Sequence, residues 1–173
     1  MTIAVRPAGA RDVAAVDALL RTSFPNADEA DLVRRLCIDG DMVLMLVAAD
    51  ETEGTLAGVA AFSRMAVDVA GKSVAAVALA PVAVAPEHRR QGVAEALIHA
   101  GLARLEEAGV LLCFVLGEPD YYTRFGFHAD YARNFDSPYA GDYFMALLLQ
   151  GGLMPCGERG AARHAAAFAA LSQ

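Results

Sequence analysis

The stretch that decides the fold is Val82-Ala-Val-Ala-Pro-Glu-His-Arg-Arg-Gln-Gly-Val-Ala94. In it an apolar, β-rich run ends at Pro86, a short turn carries two arginines and one glycine, and an amphipathic helix begins at once. The first N–H groups of such a helix have no intrahelical acceptor and lie at the positive end of its dipole, which suits a phosphate group. Arg89 and Arg90 add cations, and Gly92 lets the backbone approach a ligand without a Cβ. The junction therefore predicts a pyrophosphate-binding turn.

This turn resembles the coenzyme A motif of the GCN5-related N-acetyltransferases (GNAT proteins), Gln/Arg-x-x-Gly-x-Gly/Ala. The sequence lacks the P-loop pattern and the three spaced glycines of a dinucleotide-binding fingerprint. The resemblance implies acetyl-CoA as the cofactor, bound through Arg89, Arg90, Gln91, Gly92, Val93 and Ala94. It also implies an α/β (α+β) GNAT acyl-CoA N-acyltransferase fold, with a mixed central sheet of six to seven strands flanked by helices and a bulged fourth strand.

The apolar run before the turn, residues 74–85, is interrupted by Pro81. A proline inside a buried strand removes one ladder donor, so it marks an edge or a bulge. In the GNAT fold the strand before the phosphate turn is bulged and splays from its parallel neighbour, and the gap receives the pantetheine arm. The resemblance makes Val82, Ala83 and Val84 candidates to pair their backbone with pantetheine amides. An ordinary strand end is the alternative.

The residues after Gly92 predict a helix and then a strand. Apolar or small residues recur at i, i+3, i+4 and i+7, which is typical of a helix packed on a sheet. Gly101 lies inside this pattern at a cost of about 1 kcal/mol relative to alanine, and close packing against the sheet would explain it. Gly109 ends the helix, and the apolar run 110–116 predicts a strand covered on both faces.

The second motif is Gly117-Glu-Pro-Asp-Tyr-Tyr-Thr-Arg-Phe-Gly-Phe127, whose proline suits the first turn of a short helix. It resembles the GNAT tyrosine that precedes a Gly-Phe pair, and with Leu116 it is similar to a branch of predicted small-molecule N-acetyltransferases. The resemblance implies that Tyr122 is the general acid. A phenol with a pKa of about 10 stays protonated at neutral pH and can protonate a departing thiolate. A packing tyrosine with its hydroxyl at the surface is the alternative.

The implied reaction is direct transfer. An acceptor amine attacks the thioester carbonyl, a backbone N–H near Val82 or Val84 polarises that carbonyl, and Tyr122 protonates the sulfur. An amine with a lysine-like pKa arrives protonated, so a base must remove its proton. Glu118 is the first candidate for this base, with a solvated or capping carboxylate as the alternative. His88 either contacts the cofactor's phosphates or faces water.

The expected function is acetyl-CoA-dependent transfer of an acetyl group to a primary amine of a small molecule or peptide. One alternative is a noncatalytic acyl-CoA-binding module, in which the turn persists without working chemistry. Another is an acyltransferase that uses a longer acyl chain or a hydroxyl acceptor. No motif in the first helices or the late loop identifies the acceptor.

Composition argues against several other classes of protein. The chain has 173 residues, the size of one domain with a substantial core, and its net charge of −7 argues against nonspecific nucleic-acid binding. Three widely spaced cysteines predict neither a disulfide framework nor a metal site. Because neither a membrane-length apolar span nor a signal-peptide layout is present, we expect a cytoplasmic protein without membrane partners. The family resemblance leaves a homodimer open.

The chain as a whole predicts a GNAT domain over residues 1–150 and a C-terminal helical extension over 151–173, packed on the same domain. The expected order is strand, two helices, three strands, helix, strand, helix and strand. A turn is expected over 67–72, an acceptor loop over 129–142 and a final strand over 143–149. The Ala-rich stretch 158–171 predicts a helix.

Overall fold

The computed structural model describes residues 2–152 and 155–172. Within them the strands are β1 (Ile3–Pro7), β2 (Met42–Asp50), β3 (Thr55–Val69), β4 (Lys72–Val84), β5 (Leu112–Leu116), β6 (Phe144–Leu148) and β7 (Arg159–His164). The α-helices are α1 (Val13–Ser23), α2 (Asp28–Asp39), α3 (Val93–Glu107), α4 (Pro119–Tyr122) and α5 (Ala129–Ala132). Short 3-10 helices lie at Ala10–Asp12, Pro86–His88, Thr123–Phe125 and Ala166–Ser172.

The strands form one mixed sheet. Its order is β1-β2-β3-β4-β5-β6, and β7 pairs with β3. Neighbours from β1 to β3 are antiparallel, β4 and β5 are parallel, and β5 and β6 are antiparallel again. A parallel pair needs a crossover connection, which α3 supplies between β4 and β5. The predicted mixed sheet of six to seven strands flanked by helices is confirmed.

The chain divides into two compact units. The first contains Met1–Ser63, Ala80–Gly101 and Ala166–Gln173, and the second contains Arg64–Leu79 and Leu102–Ala165. Strands β3 and β4 and helix α3 therefore contribute residues to both units. The division of the sequence into a domain over 1–150 and an extension over 151–173 stays a prediction.

Helices α1 and α2 close the core of the first unit. Their apolar faces meet strand residues in one buried cluster, which contains Val16, Leu19, Leu20, Ala30, Val33, Val47, Val59, Ala83 and Ala85. Burial of one face accounts for the helical spacing of these apolar residues in the sequence. Gly40 follows α2 in the left-handed conformation (φ 76°), as expected for the residue that stops a helix.

Gly101 shows how closely α3 packs on β3. A Cβ at this position would lie 2.4 Å from both Cε2 and Cζ of Phe62, which is fully buried. No real Cβ makes so short a contact, so the helix can take this position only because residue 101 has no side chain. The close packing against the sheet that the sequence predicts at Gly101 is therefore present.

Gly101→Ala should therefore destabilise the protein although alanine is the better helix former. Propensity alone would stabilise the helix by about 1 kcal/mol. Because the methyl group would overlap the ring of Phe62, we expect a net loss of about 1–3 kcal/mol in the free energy of unfolding in urea. Adding Phe62→Leu should recover part of this loss. If Gly101→Ala alone were more stable than the wild type, the close packing of α3 on Phe62 would be contradicted.

In the second unit β5 is a buried central strand. Its Leu112–Phe114 segment pairs in parallel with Ala76–Ala78, and the whole strand pairs antiparallel with β6. The strand's residues are buried except Leu116, which is 51% exposed. The predicted strand covered on both faces is present, and it begins at Leu112 rather than Val110.

The helix predicted over 158–171 is wrong. Arg159–His164 form β7, and Ala166–Ser172 form a 3-10 helix. Besides its pairing with β3, β7 has a partner in Asp136, whose N–H donates to the carbonyl of Gly160 at 3.0 Å. The carbonyl of Asp136 in turn accepts from the N–H of Ala162 at 2.9 Å. These backbone partners outweigh the helix propensity of alanine, an advantage of less than about 1 kcal/mol per residue.

The turn predicted over 67–72 is shorter than expected. Strand β3 continues to Val69, and only Ala70 (φ 55°) and Gly71 (φ 75°) connect it to β4. Two successive left-handed residues are typical of a tight hairpin between twisted strands. The sequence did not indicate it because alanine rarely adopts positive φ. The predicted acceptor loop over 129–142 begins with the short helix α5.

Candidate active site

The turn between β4 and α3 contains two residues in the left-handed backbone conformation. Arg90 has φ 62° and Gly92 has φ 78°, and α3 begins at the next residue. This conformation is unusual for an arginine and costs about 1–2 kcal/mol. Turns of this kind can aim successive N–H groups into one concavity that binds an anion. A Cβ on Gly92 would meet nothing within 4 Å, so close packing does not require a glycine here. The positive φ angle is the reason for it.

The side chains of the turn face solvent. Arg89, Arg90, Gln91 and Gly92 are all exposed. The Nε of Arg89 donates to the carbonyl of Val84 at 3.3 Å, which links the turn to the end of β4. Both arginines of the turn are therefore exposed, and the binding of phosphate by this turn stays a prediction.

Gly58 of β3 allows the segments on both sides of the turn to pack on the sheet. A Cβ there would lie 2.9 Å from Cγ1 of Val93 and 3.0 Å from the carbonyl oxygen of Ala83. The N–H of Ala85 also donates to the carbonyl of Ala57 at 2.8 Å. The start of α3 and the end of β4 are thus fixed against β3. Sequence reasoning missed Gly58, because no local pattern marks a glycine required by packing.

The end of β4 carries the residues expected to pair with pantetheine. Ala83 is buried, whereas Val82 and Val84 are half-buried. The peptide bond before Pro81 is cis, at the place where the sequence predicts a bulge. The bulge and the pairing with pantetheine stay predictions.

His88 lies inside the protein rather than at its surface. It is 5% exposed, and its Nε2 lies 3.5 Å from Oδ2 of Asp50, which is 2% exposed. Of the two alternatives for His88, the one in which it faces water is wrong, and contact with the cofactor's phosphates stays a prediction. The sequence did not indicate its partner, because Asp50 belongs to a strand end 38 positions earlier.

In the second unit Tyr122 ends the short helix α4. Its N–H donates to the carbonyl of Glu118 at 3.0 Å. Its ring makes edge contacts with Tyr121 (4.9 Å between centroids) and Phe127 (5.8 Å). A Cβ on Gly117 would lie 2.5 Å from Cε2 of Tyr122, so the ring rests on the backbone of that glycine.

The hydroxyl of Tyr122 stays protonated at neutral pH. Burial raises the pKa of Tyr122 to about 12, with smaller contributions in the same direction from Tyr121 and Cys113. A phenol with this pKa stays protonated across the physiological range, and its ionisation cannot limit a reaction below pH 10. The group can therefore donate a proton but cannot serve as a base near neutral pH.

Comparison with known protein families identifies the family of this chain. The model of the acetyltransferase (GNAT) domain matches residues 4–129, which include both motifs. The chain belongs to the GNAT acetyltransferases.

Several GNAT proteins are similar to this chain. The uncharacterised N-acetyltransferase YhbS of Escherichia coli K12 is 46% identical over 116 residues, which are 67% of this chain and 68% of YhbS. A crystal structure of E. coli YhbS with CoA has a TM-score of 0.87 at 34% identity and covers 96% of this chain and 92% of its own. A GNAT acetyltransferase from Brucella melitensis, crystallised with acetyl-CoA, has a TM-score of 0.74 at 30% identity and covers 96% of this chain and 98% of its own.

The residues of the two GNAT motifs belong to different units. Val82–Val84 and Arg89–Ala94 lie in the first unit, whereas Glu118 and Tyr122 lie in the second. The candidates for cofactor binding lie in and around the turn between β4 and α3. The two catalytic candidates lie at opposite ends of the short helix α4.

Glu118 is the residue that precedes α4. It is exposed, and its side chain makes no capping hydrogen bond to the helix. The capping alternative is therefore not realised. Its role as the general base of this GNAT protein stays a prediction.

The described residues contain neither a metal-binding cluster nor a membrane-spanning helix. Across 2–152 and 155–172, no group of three His, Cys, Asp or Glu side chains could hold a metal ion. In the same part of the chain, no helix combines the length and apolar character needed to cross a membrane.

Gly117→Ala should displace the ring of Tyr122. Because the new methyl group would overlap Cε2, we expect kcat for acetyl transfer to fall by about 10²-fold, while the Kd for acetyl-CoA stays near the wild-type value. The pair Gly117→Ala/Tyr122→Phe should be no slower than Tyr122→Phe alone, since both changes remove the same group. An unchanged kcat in Gly117→Ala would show that the position of the ring is unimportant.

Proposed function

We propose that this GNAT protein transfers the acetyl group of acetyl-CoA to a primary amine of a small molecule or peptide. The proposal rests chiefly on the turn before α3, where left-handed Arg90 and Gly92 and two exposed guanidinium groups precede a 15-residue helix. The complexes of YhbS with CoA and of the Brucella protein with acetyl-CoA support this choice of acyl donor.

In this proposal the pyrophosphate of the cofactor binds at Arg89–Ala94. The first N–H groups of α3, at Val93 and Ala94, would donate to phosphate oxygens, and Arg89 and Arg90 would neutralise their charge. The backbone of Val82–Val84 would pair with the pantetheine amides. The carbonyl of Val84 already accepts from Arg89, and its second lone pair can accept from a pantetheine amide.

Tyr122 would act as the general acid. The amine nitrogen bonds to the carbonyl carbon of the thioester, the carbon–sulfur bond breaks, and the hydroxyl of Tyr122 donates its proton to the departing sulfur. The high pKa of Tyr122, about 12, keeps that proton in place until negative charge develops on the sulfur. The surplus proton of the amine leaves to a base, for which exposed Glu118 is our candidate, and the second proton that the nitrogen loses on forming the amide restores the phenol of Tyr122 through solvent.

Calorimetry with acetyl-CoA tests the cofactor site. We expect micromolar binding by the wild type and its loss in Gly92→Trp, because the indole would fill the space in front of the turn. Gly40→Trp is a matched control, since Gly40 also has a positive φ (76° against 78°) and open space where its Cβ would be. Equal losses in both variants, or no binding by the wild type, would refute the assignment of the turn.

Tyr122→Phe tests the chemistry. With a panel of polyamines, amino sugars and peptides bearing free amines, thiol release from acetyl-CoA should fall by about 10²–10⁴-fold in kcat while the Kd for acetyl-CoA is unchanged. Tyr121→Phe, which alters the neighbouring phenol, should keep most of the rate. Equal rates for Tyr122→Phe and the wild type would remove Tyr122 from the mechanism. Acetyl-CoA binding without turnover of any amine would favour a noncatalytic acyl-CoA-binding module.

The location and assembly of the protein are less constrained than its chemistry. A cytoplasmic location and a homodimer stay predictions. Neither is needed for the reaction proposed above.

A further inference from the structure

A buried polar pair lies directly before the proposed pyrophosphate turn. His88 and Asp50 are 5% and 2% exposed, and Nε2 of the histidine lies 3.5 Å from Oδ2 of the aspartate. His88 ends the 3-10 helix that follows β4, and Asp50 ends β2. The transfer chemistry proposed above uses neither side chain.

Asp50 is fixed by the backbone around it. Its Oδ1 accepts from the N–H groups of Thr52 at 3.0 Å and Glu53 at 3.2 Å. Its carbonyl accepts from the N–H of Gly54 at 2.8 Å. These bonds close the turn between β2 and β3 and leave Oδ2 directed at His88. The carboxyl group is therefore a rigidly held acceptor.

His88 is held through both its backbone and its ring. Its N–H donates to the carbonyl of Ala85 at 2.9 Å, and Ala85 is itself bonded to β3. On the ring side, Nε2 is the nitrogen that faces the carboxylate, with Oδ2 of Asp50 3.5 Å away. Within residues 2–152 and 155–172, the buried Nδ1 has no hydrogen-bond partner. Asp50 is thus the polar group that orients the ring.

We propose that Asp50 and His88 are positioning residues that hold the pyrophosphate turn in its binding conformation. Arg90 follows His88 by two residues and has φ 62°, a conformation that persists in a non-glycine residue only where its surroundings enforce it. Buried Val93 fixes the far side of the turn, and His88 fixes the near side. This inference rests on the proposed function, because it takes the turn to be the pyrophosphate site.

The contribution we infer is one of orientation rather than of stability. A buried polar pair adds little net stability over apolar side chains of similar size, because desolvation offsets the attraction. A buried polar contact at 3.5 Å between side chains on two segments, however, restricts how those segments can be oriented relative to each other. Backbone N–H groups bind a phosphate well only when they point towards it, so a small rotation at His88 would weaken binding.

The test compares CoA with pantetheine, which lacks both the pyrophosphate and the phosphorylated adenosine of the cofactor. In His88→Leu and Asp50→Asn, the Kd for CoA should rise about tenfold, whereas the Kd for pantetheine should stay within about twofold by ligand-observed NMR. His88→Gln keeps a donor that can reach Asp50 and should restore part of the CoA affinity. If His88→Leu does not fold, Asp50→Asn gives the same comparison, because its side-chain oxygen can still accept from Thr52 and Glu53.

Asp12→Asn is the matched control. Asp12 is a buried carboxylate in the same unit that accepts from the N–H of Gly9 at 2.7 Å and pairs with Arg6 at 2.6 Å. It should lower stability without changing the ratio of the two Kd values. If the wild type binds CoA no better than pantetheine, the turn is not a pyrophosphate site and the cofactor assignment fails. If the wild type prefers CoA and the His88 and Asp50 variants keep that full preference, only the positioning role is refuted.

Discussion

The close approach of two segments to β3 at Gly58 is the constraint on which the first unit depends. The carbonyl of Ala83 and the side chain of Val93 both lie where a Cβ of residue 58 would be. The chain between Ala83 and Val93 is therefore fixed at both ends and must reverse within ten residues. Left-handed conformations at Arg90 and Gly92 accomplish that reversal. The geometry that we assign to pyrophosphate binding is in this sense a product of sheet packing.

Features with a local signal could be predicted from the sequence. The apolar spacing of α1, α2 and α3 reports which face of each helix is buried, and Gly40 and Gly109 stop helices through their own backbone conformation. Both GNAT motifs are also contiguous in the chain. Asp50 and Gly58 could not be predicted in the same way, because their importance depends on partners 38 and 35 residues later, His88 and Val93.

Two of the errors, at 158–171 and at 67–72, have a common cause in backbone pairing. The stretch 158–171 has the composition of a helix, yet β3 and Asp136 offer hydrogen-bond partners that its intrinsic preference does not outweigh. At the hairpin between β3 and β4, strand pairing likewise holds Ala70 in a conformation that alanine seldom adopts. In both places a hydrogen-bonding partner determines the backbone conformation, and the sequence alone does not identify that partner.

The left-handed Arg90 has a consequence for the thermal tolerance of the protein. A glycine at this position would relieve about 1–2 kcal/mol of backbone strain, but it would also remove one of the two exposed cations of the turn. The side chain that we propose to attract the pyrophosphate is thus the one that its backbone accommodates least well. Selection for heat resistance and selection for tight cofactor binding would act on this residue in opposite directions.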